Sequence, residues 1–439
     1  MIKVGLISLG CAKNLVDSEI VLGMLDASKF ECVNTIEESD VIIINTCGFI
    51  EASKQESIEN ILDIVRLNEA NKQESIEPKK LVVTGCLVER YKEELKQSIP
   101  EVDLWISIKE YPKFNEKLEE LLGIKKIEKF NPFVRLLSTP KYMAYLRISE
   151  GCNNRCAYCA SPLIRGSFKS RPFEDLIFEA KNLYQKGIKE LVVISQDTTR
   201  YGSDLNEGKN IVDLLRGLEA IGFYSIRLLY LYPDEISDEL INYIASSKAV
   251  KPYFDIPLQH ASNKILKAMY RRGTMEDYQI LIDKIRNKIP NAILRTTYIV
   301  GFAGEDDEDF KTLIEFTQKN HFDHMGAFKY SREDNTPAYS YPNQIKENLK
   351  ELRLAKLMEV QKKISYKNNK ARIGEIMEGI VIDYNKSSNV YMLRSYWNAP
   401  DDVDGNISFT SKTKLNIGDI VKVKITNAFV YDLFGEAVE

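Results

Sequence analysis

Cysteine carries the most informative chemistry in this chain. Three of its seven cysteines form one tight group, Cys152-x-x-x-Cys156-x-x-Cys159. Three thiolates from one short loop can hold three irons of a 4Fe–4S cluster, whereas ferredoxin-type runs use two-residue gaps and a fourth cysteine. The missing fourth ligand would leave one iron open, as a catalytic metal requires. A structural zinc or buried free thiols is the alternative; zinc would want a fourth Cys or His, and the nearest histidine in sequence is His260. Cys11, Cys47 and Cys86 form a second, dispersed trio. Each sits in a small, loop-forming context, Leu9-Gly10-Cys11, Thr46-Cys47-Gly48 and Gly85-Cys86. Cys32 shares none of this and reads as a packing residue. An odd number of cysteines argues against a disulfide framework, and three histidines leave little material for imidazole acid–base catalysis.

Strands and helices must bring the dispersed trio together. Lys3–Ser8, Val41–Asn45 and Lys80–Thr84 read as short buried strands, with helical spacing over Lys13–Leu25 and Ser53–Leu67. Strand–helix alternation implies an open parallel sheet, whose strand C-termini share one edge where such sheets bind ligands. One cysteine follows each of the three strands, so the trio converges there. Asn68–Pro78 reads as a polar surface loop, and Phe130–Lys141, with two prolines, as a linker.

The alternation resumes with candidate strands Ala144–Ser149, Glu190–Ser195, Ser225–Leu231, Tyr253–Leu258, Ala292–Val300 and His324–Tyr330. Six β/α units predict a closed or partly closed TIM-like barrel with its active site at the strand C-termini. The tail changes character: Ile380–Tyr384, Val390–Ser395, Ile407–Thr410, Ile420–Asn427 and Val430–Leu433 predict a small antiparallel β-barrel of the kind used for substrate binding. The expected division is an α/β domain over 1–130, the barrel over 138–369 and the tail over 371–439.

Hydrophobic residues at 44% and charged residues at 28% exclude a disordered or fibrous chain. The net charge of −4 lacks the basic surplus that phosphate binding needs, and no run approaches a membrane span. The opening Val4-Gly5-Leu6-Ile7 carries no basic leader, so a soluble, cytoplasmic protein is expected.

The CxxxCxxC loop after the first strand of a β/α barrel resembles the radical S-adenosylmethionine superfamily. The resemblance implies that the open iron chelates the amino and carboxylate groups of S-adenosylmethionine, which one electron cleaves to methionine and a 5′-deoxyadenosyl radical. It also places Tyr158 near the adenine, and Ser195, Gln196 and Asp197 at the S-adenosylmethionine amino group. Two three-cysteine groups in this order, followed by a β-barrel tail, are similar over the whole chain to the methylthiotransferase family, with its N-terminal domain, radical core and TRAM barrel. Ser8-Leu9-Gly10-Cys11-Ala12-Lys13-Asn14-Leu15-Val16-Asp17-Ser18-Glu19 resembles the branch that acts on a ribosomal protein, with Ala12 where proline is usual. Ser195-Gln196-Asp197-Thr198-Thr199-Arg200-Tyr201-Gly202 and Pro257-Leu258-Gln259-His260-Ala261-Ser262 are branch-like too, as is Ala399-Pro400-Asp401 leading to Val403-Asp404-Gly405, with Asp402 extra. The resemblance implies two 4Fe–4S clusters, on Cys11, Cys47 and Cys86 and on Cys152, Cys156 and Cys159. It implies methylthiolation of the β-carbon of an aspartate in small-subunit ribosomal protein twelve, with an external low-potential electron donor and a sulfur source. No direct tRNA substrate and no membrane partner are expected.

Two other readings stand beside this one: a tRNA adenosine methylthiotransferase and a non-enzymatic iron–sulfur electron carrier. From Ala371 to Glu439 there are seven Lys/Arg against ten Asp/Glu, which suits a basic protein partner better than RNA. Arg165, Lys169 and Arg171 read as guides for an anionic carboxylate or as cover for the barrel rim. His321 and His324 read as surface or structural residues, and Gly301-Phe302-Ala303-Gly304 as a tight turn at the adenine.

Overall fold

A computed structural model describes residues 1–124, 135–206, 208–400 and 403–438. Its first sheet has strands β1 (Ile2–Ser8), β2 (Phe30–Cys32), β3 (Val41–Thr46), β4 (Lys80–Gly85) and β5 (Leu104–Ile106), in the order β2-β1-β3-β4-β5. Every pairing is parallel. Alternate residues of the buried β3 serve opposite faces, as strand geometry dictates. Ile42 and Ile44 pack on α2 (Glu51–Gln73) and α3 (Cys86–Ser98), while Val41 and Ile43 pack on α1 (Ala12–Met24) and α4 (Phe114–Leu122).

Two expectations fail in this part of the chain. The loop expected over Asn68–Pro78 begins as helix, because Glu69, Ala70, Lys72 and Gln73 are good helix formers on a solvent face. Asn68 then clasps the returning chain, donating to Lys79 O and accepting from Lys79 N, each at 2.8 Å. Cys32 is exposed at the end of the edge strand β2 rather than packed inside.

The expected linker falls partly on 130–134, outside the described residues. From Arg135 onward it is tied down. Arg135 is 5% exposed and donates to Glu19 Oε2 and Glu179 Oε1, each at 2.5 Å, and to Tyr145 O at 2.9 Å. A buried arginine between two carboxylates fixes α1 against the second domain.

That domain runs β6 (Met143–Arg147), β7 (Ser149–Glu150), α5 (Ser161–Arg165), β8 (Lys169–Ser170), α6 (Phe173–Gln185), β9 (Glu190–Ile194), α7 (Ile211–Glu219), β10 (Ser225–Leu228), α8 (Asp238–Ser246), β11 (Tyr253–Gln259), α9 (Asn263–Ala268), α10 (Met275–Lys288), β12 (Ile293–Val300), α11 (Asp307–Asn320), β13 (His324–Lys329) and α12 (Glu347–Ala371). The parallel ladders β6-β9-β10 and β11-β12-β13 meet through an Ile226–Val250 bridge and a Leu231 N–H bond to Asp255 O at 2.9 Å. The six strands form a partly closed barrel. Ala144 and Leu146 face the helices, while Tyr145, Val192 and Ile194 share a second apolar cluster with Ala12 and Val16 of α1. The N-terminal domain therefore packs against the barrel through α1.

The tail closes into a barrel of β14 (Ile376–Asn385), β15 (Val390–Ser395), β16 (Ile407–Thr410), β17 (Ile420–Ala428) and β18 (Leu433–Val438), ordered β14-β15-β16-β18-β17. Four pairings are antiparallel; β16 and β18 are parallel. The strand expected over Val430–Leu433 is shifted: Phe429 N–H bonds Asp432 O at 2.8 Å in a turn, and the strand starts at Leu433. Asp401 and the extra Asp402 lie outside the described residues. This barrel docks where the larger barrel's strands begin. Lys189 Nζ donates to Gly418 O and Arg227 Nη2 to Ser395 O, each at 2.6 Å. Tyr253 donates to Asp404 Oδ2 at 2.6 Å, and His324 Nε2 bonds Trp397 O at 2.8 Å. It therefore caps the end opposite the strand C-termini. Among the described residues, no helix is long and apolar enough to cross a membrane.

Candidate functional site

Cys11 caps α1 just past β1, Cys47 follows β3 and Cys86 opens α3 at the end of β4. The parallel sheet brings all three to one edge. Their approach leaves no room for side chains on the adjoining glycines. At Gly10, whose φ is +91°, a Cβ would stand 3.0 Å from Cys47 Sγ; at Gly48 it would stand 2.7 Å from Leu87 N. Asn14 ties the three strand ends with one amide. Its Nδ2 donates to Leu9 O at 3.0 Å and Thr46 O at 3.1 Å, and its Oδ1 accepts from Cys86 Sγ at 3.2 Å. The exposed Cys11 thiol lies in a recess whose desolvation would raise its pKa, but Lys13, the Asn14 N–H and Arg165 outweigh this and lower it. Burial pushes Cys86 up to about 11.

The second trio occupies the loop between β7 and α5. Gly151 and Arg155 both have positive φ there, +70° and +51°. Backbone bonds pin the loop, from Cys152 N to Gly166 O at 3.1 Å and from Ala157 N to Met269 O at 2.9 Å. Burial, with Cys156 and Cys152 alongside, pushes Cys159 up to about 12. Next to buried Cys156 stands Arg271, its Nη1 3.9 Å from the sulfur and its guanidinium 4.0 Å from the Tyr232 ring centroid. Among the described residues Arg271 pairs with no carboxylate, and the Tyr232 hydroxyl lies 3.6 Å from the same sulfur. A buried cation beside the buried Cys156 thiol is suited to balance thiolate charge there. The donor sets fit iron–sulfur clusters. Among the described residues no three His, Cys, Asp or Glu side chains converge on the point one metal ion would occupy; cluster thiolates bind different irons and do not converge on one.

The other predicted residues are partly engaged already. Ser195, fully buried just past β9, hydrogen-bonds Ser149. Asp197 accepts from Asn154 Nδ2 at 2.7 Å and from the Thr199 hydroxyl at 2.6 Å, so it braces the cysteine loop. Gln196 donates to Glu150 Oε1 at 3.3 Å, and among the described residues its buried Oε1 has no hydrogen-bond partner. Tyr158 meets Phe302 edge-on, with centroids 6.5 Å apart. Of the basic group, Arg171 bonds Arg147 O and Glu179, and Lys169 is exposed. His321 ends α11 in the left-handed region, whereas His324 is buried against Trp397. Gly301, at φ +72°, donates its N–H to Glu305 Oε2 at 2.9 Å.

Arg165 joins the two trios. It closes α5, with three residues between it and β8; its Nη2 lies 3.3 Å from Cys86 Sγ and donates to Asn14 Oδ1 at 2.7 Å. Its Nη1 donates to Asp17 Oδ2 at 2.7 Å, and Asp17 also pairs with Arg147. Lys13 completes the junction, 3.8 Å from the Tyr230 ring centroid and 3.5 Å from Ser195 O. Asn14, Arg271 and Tyr232 were not identified from the sequence; Asn14 lies inside the quoted motif, but only the folded sheet edge shows what its amide does.

Residues 3–107 match the Uncharacterized protein family UPF0004, 146–317 the Radical SAM superfamily and 373–438 the TRAM domain. Curated relatives are alike from end to end. The ribosomal protein uS12 methylthiotransferase RimO of Aquifex aeolicus is 47% identical over 439 residues, covering 100% of this chain and 98% of the relative. The protein of the same name from Clostridioides difficile is 46% identical over 447 residues, covering 100% and 99%. The chain belongs to the RimO methylthiotransferase family. Membership in the RimO family makes it a radical enzyme that uses 4Fe–4S chemistry and S-adenosylmethionine. Among solved structures, the radical S-adenosylmethionine methyltransferase TsrM from Kitasatospora setae shares the fold. Its TM-score is 0.55 at 13% identity, over 76% of this chain and 73% of that one.

Proposed function

We propose that this chain inserts a methylthio group at the β-carbon of an aspartate in ribosomal protein uS12, the small-subunit protein twelve. The contact between Arg165 and Cys86 carries the reading, because it joins the helix leaving one cysteine trio to a thiol of the other. Cys152, Cys156 and Cys159 would hold one 4Fe–4S cluster and Cys11, Cys47 and Cys86 a second. When bound, these groups and S-adenosylmethionine supply the radical and the methylthio sulfur. The chain's own task is orientation. Asn14 and Arg165 fix the first trio, Arg271 balances charge at Cys156, and Tyr158, Ser195, Gln196 and Asp197 line the S-adenosylmethionine site.

The uS12 substrate is supported by the names of relatives about 45% identical over the full chain and by the acidic tail, which suits a basic ribosomal protein. Such work places the protein in the cytoplasm, with a low-potential electron donor and a sulfur source as partners. The functional units are 1–130, 138–369 and 371–439. The test is anaerobic reaction of the reconstituted chain with reductant and S-adenosylmethionine, offered uS12 and tRNA together. Mass spectrometry is expected to find a methylthio increment on one uS12 aspartate and none on tRNA. An increment on adenosine, or no product with either, overturns the reading.

A further inference from the structure

Most of the cations around the junction are already matched. Arg147 pairs with Asp17 and Glu150, and Arg165 pairs with Asp17 and lies 3.7 Å from Glu150. Lys13 differs. Among the described residues, no carboxylate lies within ion-pair distance of its Nζ, which rests over the Tyr230 ring, hydrogen-bonds the Ser195 carbonyl and interacts electrostatically with the nearby Cys11 thiol and, at longer range, Glu150. Tyr230 is itself unusual. It follows β10 with φ +63°, a left-handed conformation that a bulky aromatic residue rarely adopts, and such strain concentrates at functional sites. Asp255 Oδ2 accepts its N–H at 2.9 Å and its carbonyl accepts from Thr198 N at 3.1 Å, so the strained backbone is held from both sides. The ring is thus fixed as a platform under the ammonium.

This cation stands two residues from Cys11 and reaches the end of β9, where the barrel strands end. We propose that Lys13 is the specificity residue that receives the carboxylate of the substrate aspartate. The inference rests on the proposed function, and its logic is one of reach. In an aspartate the β-carbon is bonded directly to the carboxylate carbon. A substrate whose β-carbon lies between the trios therefore brings a carboxylate into the same space. S-adenosylmethionine also carries a carboxylate, but the family resemblance assigns that one to the open iron of the other loop. A neutral asparagine in the substrate would leave Lys13 without a carboxylate partner, whereas the aspartate exchanges a weak carbonyl contact for a charge-assisted hydrogen bond.

The test uses full-length reconstituted protein without reductant. Equilibrium binding is measured for S-adenosylmethionine and for uS12 loop peptides carrying Asp or Asn at the target position. The wild type is expected to prefer Asp over Asn by about tenfold. Lys13→Gln is expected to bind both alike, and Lys13→Arg to keep the preference. Tyr230→Leu, which withdraws the platform and leaves Lys13, is expected to weaken the preference about threefold; it decides the matter if Lys13→Gln fails to take up iron. A Lys13→Gln protein with wild-type preference overturns the inference. So does one whose S-adenosylmethionine affinity falls while its peptide preference stays. Failure of the wild type to bind the Asp peptide counts instead against uS12 as substrate.

Discussion

Arg165 and Cys86 are seventy-nine residues apart in sequence, and the guanidinium Nη2 lies 3.3 Å from the thiol sulfur. The same side chain pairs with Asp17, so one residue joins a cysteine of the sheet edge, the first helix of that domain and the helix that leaves the barrel's cysteine loop. Ala160 and Ile164 pack on Cys86 beside it. The apolar contact and the ion pair act on the same junction.

Arg165→Met leaves Asp17 buried with Arg147 as its remaining ion-pair partner among the described residues. Removing one partner of a buried charge network is costly because the other charge stays desolvated. The expected loss is about 2 kcal/mol, less than for an isolated pair because Arg147 remains. Chemical denaturation measures it, and hydrogen exchange should rise first in α1. Arg165→Lys should recover only part, since an ammonium cannot fork to Asn14 and Asp17 together.

Cys156→Ala is expected to abolish 5′-deoxyadenosine formation while the first trio keeps its iron. Cys47→Ala should do the reverse, sparing cleavage of S-adenosylmethionine and stopping methylthio transfer. Iron content should fall by about half in either variant. Anaerobic turnover with chromatographic quantitation of 5′-deoxyadenosine separates the two roles.

Gly10→Ala adds a methyl group 2.9 Å from the Cys47 Cβ at a φ of +91°. The strain alone costs about 1–2 kcal/mol, and the neighbour in the way is a proposed ligand. Iron at the first trio should be lost while 5′-deoxyadenosine formation persists, a pattern that metal analysis and turnover report together.

Asp404 anchors the C-terminal barrel. Burial would raise its carboxyl pKa, but His324 and Arg295 outweigh this and hold it below the usual value. A depressed folded-state pKa contributes stability that is present above about pH 4, the unfolded value, and lost as pH falls through the folded value. Hydrogen-exchange protection across residues 407–438, measured relative to the intrinsic rate at each pH, should therefore fall as pH drops below about 4. Asp404→Asn should be looser at neutral pH and respond less to acid. An acid response unchanged in that variant would assign the effect elsewhere.

Legibility in the sequence followed length and burial. β1, β3 and β4 were readable because each is a run of apolar, largely β-branched residues, and their ends gave away the dispersed cysteines. β2 and β5 have three residues each, too short to leave a periodic signal. The helical Glu69–Gln73 looked like loop because polarity on a solvent face resembles polarity in a turn. The tail was recognisable as a barrel, but the β16–β18 parallel pair and the late start at Leu433 depend on which distant strands meet. Site residues divided the same way. Cysteine spacing is local and specific, whereas the roles of Asn14, Arg165 and Arg271 arise from contacts across 72, 79 and 115 positions. The docking of the tail at Lys189, Arg227, Tyr253 and His324 was also invisible in sequence. It sets any grip by that barrel on the face opposite the cysteines, so a partner held there must reach around the molecule to the reacting residue.

The central claim is that both cysteine trios open on one space, and magnetic coupling between reduced clusters tests it most directly. Electron paramagnetic resonance spectra should be taken of the doubly reduced wild type and of the Cys47→Ala and Cys156→Ala proteins, each carrying one cluster. The wild-type spectrum is predicted to show dipolar splitting that neither variant shows. A wild-type spectrum equal to the sum of the two variants would contradict the account.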